Sequence, residues 1–156
     1  MTYLQLVTAL EALATKAGAA SFWTGARLAN GLNYNAPFPM CEFFNTQPSQ
    51  LLPSVVRYSI GMGFYGKDEH ENAGYDSNDG ADGSPDNTVQ IQSDMDELTQ
   101  RFEALLRDAS SATWQLSDTP MTRTPTLRNG TKIGTGLFID FTLDVPRTCL
   151  DLSTQV

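Results

Sequence analysis

Residues 54–66 read Ser-Val-Val-Arg-Tyr-Ser-Ile-Gly-Met-Gly-Phe-Tyr-Gly, and this stretch is the clearest β-strand in the 156-residue chain. Apolar or aromatic side chains occupy every second position from Val56 to Phe64. Because successive side chains of a strand point to opposite faces of a sheet, this alternation predicts one face directed at a core. The opposite face would carry Val55, Arg57, Ser59, Gly61, Gly63 and Tyr65.

Two amphipathic helices are predicted on either side of this strand. Near the amino terminus, Thr2 and Gln5 form a capping-box pattern and Gly18 supplies a stop. The second helix begins near residues 86–88 and ends around Ala109. In both, apolar residues recur at intervals of three and four, which is typical of a helix packed on a sheet. The two stripes are Tyr3, Leu6, Leu10, Leu13 and Ala17 in the first helix, and Ile91, Met95, Leu98, Phe102 and Leu105 in the second.

Two short strands are predicted between the first helix and the long strand. Residues 21–28 and 38–45 mix aromatic and polar side chains and are separated by turn-forming residues. Pro37 and Pro39 place the start of the second of these strands at a sheet edge, since proline has no amide hydrogen to donate. Residues 47–53 are predicted to be a linker.

The carboxyl-terminal part returns to strand patterns. Residues 119–128 are extended, Asn129-Gly130 is a hairpin signal, and residues 137–145 alternate with their apolar side chains inward. The whole order predicts an α+β fold in which two helices pack on one face of an antiparallel sheet. A single domain would span residues 1–146, followed by a tail at 147–156.

A long acidic loop, residues 67–87, is predicted between the third strand and the second helix. Its spacing does not fit a calcium-binding loop that starts at Asp76, because Gly80 would stand at the fifth position and Asn87 at the twelfth. The interpretations are a solvated flexible segment, an irregular cation site or a catalytic carboxylate pair. Its acidic residues are Asp68, Glu69, Glu71, Asp76, Asp79, Asp82 and Asp86.

The chain lacks the residues that catalytic and cofactor motifs require. Its only histidine is His70, and its two cysteines, Cys41 and Cys149, do not have metal-ligand spacing. A phosphate loop, a nucleophile elbow and a dinucleotide fingerprint are all missing from the sequence. We therefore expect no enzymatic activity, no catalytic residues, no cofactor and no bound metal. The cysteines are interpreted as two free thiols in a reducing compartment, with a disulfide as the alternative.

The charge balance bears on possible partners. A net charge of −8 and an isoelectric point near 4.4 argue against binding through nucleic-acid phosphates or anionic lipid. The amino terminus lacks a signal-peptide pattern, and no apolar run approaches the ~20 residues of a membrane span, so we expect no membrane partner. Charged residues make up only 18% of the chain, which suits a subunit that hides much of its surface in an assembly.

Four features in chain order carry a resemblance to a known family. They are the helix at 2–17, the strand at 55–66 with its run Phe64-Tyr-Gly-Lys-Asp68, the helix IQSDMDELTQRFEALLR at 91–107, and the final GTGLFIDFTL from Gly134. In the order of these elements and in the types of residue they contain, residues 2–146 resemble the tail terminator, or tail completion, proteins of long-tailed bacteriophages. The resemblance includes no invariant chemical motif and implies no catalytic residues.

The resemblance implies a structural virion protein of the phage neck, assembled in the host cytoplasm. It would form a homo-hexameric ring at the head-proximal end of the tail tube, terminate the tail and join it to the head–tail connector. Its partners would be further copies of itself, the tail tube protein and the connector or adaptor protein, while genomic DNA would pass through without specific binding. The acidic loop would then face the lumen and repel phosphate, or face outward and solvate the surface. The alternative function is an acidic carrier or regulatory module that binds a small basic partner through residues 67–87.

Overall fold

The computed structural model describes residues 1–24, 37–44, 50–66, 88–109, 114–117, 121–126 and 136–147. The predicted α+β class is confirmed: two helices pack on a sheet whose strands are mostly antiparallel. In chain order the elements are α1 Tyr3–Ala17, β1 Ser21–Thr24, β2 Met40–Phe44, β3 Gln50–Leu51, β4 Val55–Tyr65, α2 Thr88–Asp108, β5 Gln115–Leu116, β6 Thr122–Thr126 and β7 Gly136–Pro146.

The two long strands β4 and β7 form the centre of the sheet. They pair antiparallel along all 11 residues of each strand, from Val55 opposite Pro146 to Tyr65 opposite Gly136. On the other side of β4 lie β2 and the short β3, and β1 lies outside β2. The other side of β7 is paired with β5 and β6. The strand with the clearest alternating pattern in the sequence, β4, thus lies at the centre of the sheet.

Three details of the predicted sheet are wrong. The sheet is mixed and not purely antiparallel, because β1 runs parallel to β2. The start of β2 lies inside the sheet and not at its edge, because β2 pairs with both β1 and β4 from Met40 onward. This pairing begins one residue after Pro39, so it requires no amide hydrogen from Pro37 or Pro39. The predicted linker at 47–53 contains β3, which pairs with β4 through Gln50 opposite Arg57.

Helix α1 begins and ends as its sequence predicts. The Thr2 hydroxyl accepts from the Gln5 amide, the Gln5 side chain accepts from the Thr2 amide, and Gly18 ends the helix with a φ of 124°. The buried residues of the helix are Leu6, Leu10, Ala14 and Ala17. Of the predicted stripe, Tyr3 is 40% exposed and Leu13 is only partly buried.

Helix α2 supplies the middle of the core. Phe102 is completely buried, with its ring centroid 5.4 Å from that of Phe64 on β4 and 6.1 Å from that of Phe141 on β7. In the last turns the fully buried residue is Leu106, four residues after Phe102, whereas the predicted Leu105 is only partly buried. Apart from Val56, the inward residues of β4 and β7 join the same cluster as the helices, which confirms the predicted core faces there.

Candidate functional site

The seven acidic residues singled out in the sequence lie outside the residues that the structure describes. The same holds for His70, for Cys149 and for all of the carboxyl-terminal tail except Arg147. The roles considered for the acidic loop therefore stay predictions. The acidic residues in question are Asp68, Glu69, Glu71, Asp76, Asp79, Asp82 and Asp86.

The described residues point instead to the face of the sheet opposite the helices, which we call the second face. The pairing register places Trp23, Glu42 and Gly63 side by side on three neighbouring strands. It continues through Phe138 on β7 to Thr124 on β6. Because paired residues point to the same side of a sheet, these five positions form one row across the second face.

One end of the second face is apolar and closed. Met40 is completely buried and Tyr65 is 6% exposed, and half-buried Trp23 and Phe38 pack against them. Glu42 lies on the same face, and its side chain is also almost entirely buried, at 1% exposed. A carboxylate removed from water in this way is unusual in a strand of otherwise apolar residues.

Two glycines make room for aromatic rings on this face. A Cβ atom on Gly63 would lie 2.3 Å from the Tyr65 hydroxyl oxygen, and one on Gly61 would lie 2.6 Å from Cζ of Phe138. The rings of Tyr65 and Phe138 therefore lie directly over β4, where any larger residue would displace them. The Gly-Met-Gly sequence at 61–63 is thus explained by close packing on the second face.

The ionisable groups near Glu42 are held neutral. Burial, followed by the Glu42 and Cys41 charges, raises the pKa of the Tyr65 phenol well above its usual value. Burial and then the Glu42 charge also raise the pKa of the Cys41 thiol. Cys41 is a free thiol at 0% exposed, on the side of β2 that faces the helices. The reactive forms of these two groups are the thiolate of Cys41 and the phenolate of Tyr65. Because both pKa values are raised, neither group is prepared to act as a nucleophile at neutral pH.

The other end of the second face is polar and partly exposed. Arg57 on β4 makes two 2.8 Å hydrogen bonds to the Asp144 carboxylate on β7, one from Nε and one from Nη2. These hydrogen bonds, opposed by partial burial, lower the pKa of Asp144. Asp140 is exposed on the same face, and Thr124 is exposed on β6. The charge of Arg57 is therefore matched by a carboxylate.

Several kinds of site are not formed by the described residues. Among them, no group of three or more histidine, cysteine or carboxylate side chains could hold a metal ion. Their helices include none that is long and apolar enough to cross a bilayer. Outside its buried end, the second face offers the half-buried Phe138, the exposed Thr124 and Asp140, and the paired charges of Arg57 and Asp144, a mixture suited to contact with another molecule.

Sequence reasoning missed the burial of Glu42. The available signal was its place in the run Met40-Cys-Glu-Phe-Phe44, where a single charged residue interrupts four apolar ones.

No protein-family model and no curated protein matches this chain.

Proposed function

We propose that this protein is a structural subunit of a long-tailed bacteriophage that assembles into a ring at the head-proximal end of the tail tube. The ring terminates the tail and joins it to the head–tail connector, and genomic DNA passes through it without being specifically bound. Support comes from the order of elements that underlies the resemblance, namely a capped amino-terminal helix, a long strand, a second amphipathic helix and a final long strand.

The observation that carries the proposal is the second face of the sheet. None of the described helices covers it, since α1 and α2 both pack into the cluster on the other face. On this face Arg57 is paired with Asp144, while Asp140 remains exposed. Protein affinity for DNA comes largely from cations that neutralise phosphates, so a lumen lined by this face would let a duplex slide without holding it.

The ring is tested by light scattering after size exclusion and by electron microscopy of the concentrated protein, alone and with tail tube protein. A terminator forms rings and limits the length of the tubes. A chain that stays monomeric at every concentration and leaves tube length unchanged is not a terminator. The acidic-module alternative depends on residues 67–87, which lie outside the described residues, and it predicts a monomer that binds a basic partner.

DNA passage is tested by charge reversal in assembled particles. Asp140→Lys adds an exposed cation to the second face, and we expect slower genome ejection that recovers as ionic strength rises. Asp108→Lys makes the same change at an exposed position of α2 and should eject at the parental rate. Equal ejection rates for the two variants across ionic strength would contradict a lumen lined by the second face.

A further inference from the structure

Strands β1 and β6 lie on opposite sides of the described sheet and at the same level along the strand direction, which we call the same height. Strand β1 pairs only with β2 among the described strands, and β6 pairs only with β7. The row through Trp23 and Glu42 ends at Thr124, so four successive pairings connect one edge to the other without a step along the strands. A second row ends at the backbone of Thr126 and consists of Ser21, Met40, Tyr65, Gly136 and Thr126.

The two edge strands also run in opposite directions. Strand β2 is antiparallel to β4 and β1 is parallel to β2, so β1 runs opposite to β4. Strand β7 is antiparallel to β4 and β6 is antiparallel to β7, so β6 runs in the same direction as β4. When two copies stand side by side in the same orientation, β6 of one therefore meets β1 of the next as an antiparallel neighbour at matching height.

The geometry points to a second copy of this chain as the occupant of each edge: β6 of one subunit pairs with β1 of the next and continues the sheet around the ring. This inference rests on the proposed ring function and specifies how the ring closes. The contact is heterologous, because two different edges meet, and a heterologous contact with the right rotation closes into a ring. Exposed strand edges are sites at which another chain can add.

The number of strands sets the size of such a ring. Five strands cross each copy at this height, and at about 4.8 Å between strands they span about 24 Å. Six copies would give a circumference of about 144 Å and a backbone diameter of about 46 Å before strand tilt is included. With the second face inward, the half-buried Phe138 and the exposed Thr124 would face the central channel.

Strand β6 carries features that limit open-ended aggregation. Strand β6 contains Pro125, which has no amide hydrogen to donate, and prolines in edge strands limit indiscriminate pairing. The Arg123 side chain holds β6 to α2 through hydrogen bonds to Asp96 at 3.0 Å and to Glu103 at 2.8 Å. The edge is thus fixed in position before a neighbour arrives, which lowers the entropy cost of pairing.

The pairing is tested by disulfide trapping in a Cys149→Ser background, with the buried Cys41 retained. One batch of protein carries Ser21→Cys on β1, and a second batch carries Thr126→Cys on β6. Concentrated protein is oxidised with diamide and run on a non-reducing gel. We expect covalent dimers only when the two batches are mixed, and a ladder ending at the closed ring when one chain carries both changes. Replacing Thr126→Cys by Thr124→Cys tests a ring whose seam is staggered by two residues.

A matched control separates edge pairing from random collision. Thr24→Cys lies on the same strand as Ser21, is exposed, and faces the helix side of the sheet, so it should not cross-link to Thr124→Cys. Cross-linking within a single-variant batch would show like edges meeting and would overturn the inference. Rings seen by electron microscopy without any mixed-batch cross-link would overturn the edge pairing while leaving the ring intact. Absence of both rings and cross-links would overturn the proposed function as well.

Discussion

Phe102 joins the helix layer to the sheet, and its truncation measures how much of the stability this contact provides. The side chain is 0% exposed and lies between Phe64 and Phe141, with ring centroids at 5.4 and 6.1 Å. Removing a buried phenylalanine side chain costs about 3–5 kcal/mol, from the lost transfer free energy and the cavity left behind. Both ring pairs are lost as well, so we expect Phe102→Ala to fall in the upper half of that range.

The effect is large because the free energy of unfolding of a whole domain is only about 5–15 kcal/mol. Urea titration followed by circular dichroism gives the free energy of unfolding and the m-value, and a loss of about 4 kcal/mol should lower the melting temperature by roughly 8–16 °C. Val89→Ala is the matched control, since Val89 lies on the same helix but is 73% exposed, and it should change the free energy by less than about 0.5 kcal/mol. A loss below about 1 kcal/mol for Phe102→Ala, at unchanged m-value, would refute the packing of α2 on the sheet.

Three further changes test other contacts. Arg57 lowers the pKa of Asp144 in the folded state, so this pair stabilises the protein above the unfolded pKa of about 3.9, and the stabilisation is lost as pH falls through the folded pKa. Asp144→Asn should therefore flatten the acid limb of a curve of unfolding free energy against pH, and an unchanged limb would contradict the contribution of this pair. A Cβ on Gly136 would lie 1.9 Å from the backbone oxygen of Phe64, so Gly136→Ala should force β4 and β7 apart and cost about 3 kcal/mol in thermal or urea unfolding; a parental melting temperature would show that the strands are not so close. Thr2→Ala removes the side-chain half of the capping box and should cost about 1 kcal/mol, whereas Thr2→Ser, which keeps the hydroxyl, should cost almost nothing; equal losses in the two variants would argue against the cap.

The elements recognised in the sequence are those whose pattern is local. The capping box at Thr2 and the stop at Gly18 involve residues a few positions apart, and a helix forms or ends through such neighbours. The long alternating runs of β4 and β7 identify their buried faces, because alternation alone decides which side chains share a face. In α2 the spacing predicts the stripe correctly except in the last turn, since the burial of Leu106 in place of Leu105 depends on where the helix crosses the sheet.

The relations between distant segments depend on long-range pairing. The parallel pairing of β1 with β2 and the short strands β3 and β5 exist only because β2, β4 and β7 already present ladders to join. The burial of Glu42 follows from its place between Trp23 and Gly63, on strands far apart in the chain. The fold class, the helices and the two central strands follow from periodicities that neighbouring residues create. Strand order, register and the composition of the second face came from long-range pairing, which no local pattern encodes.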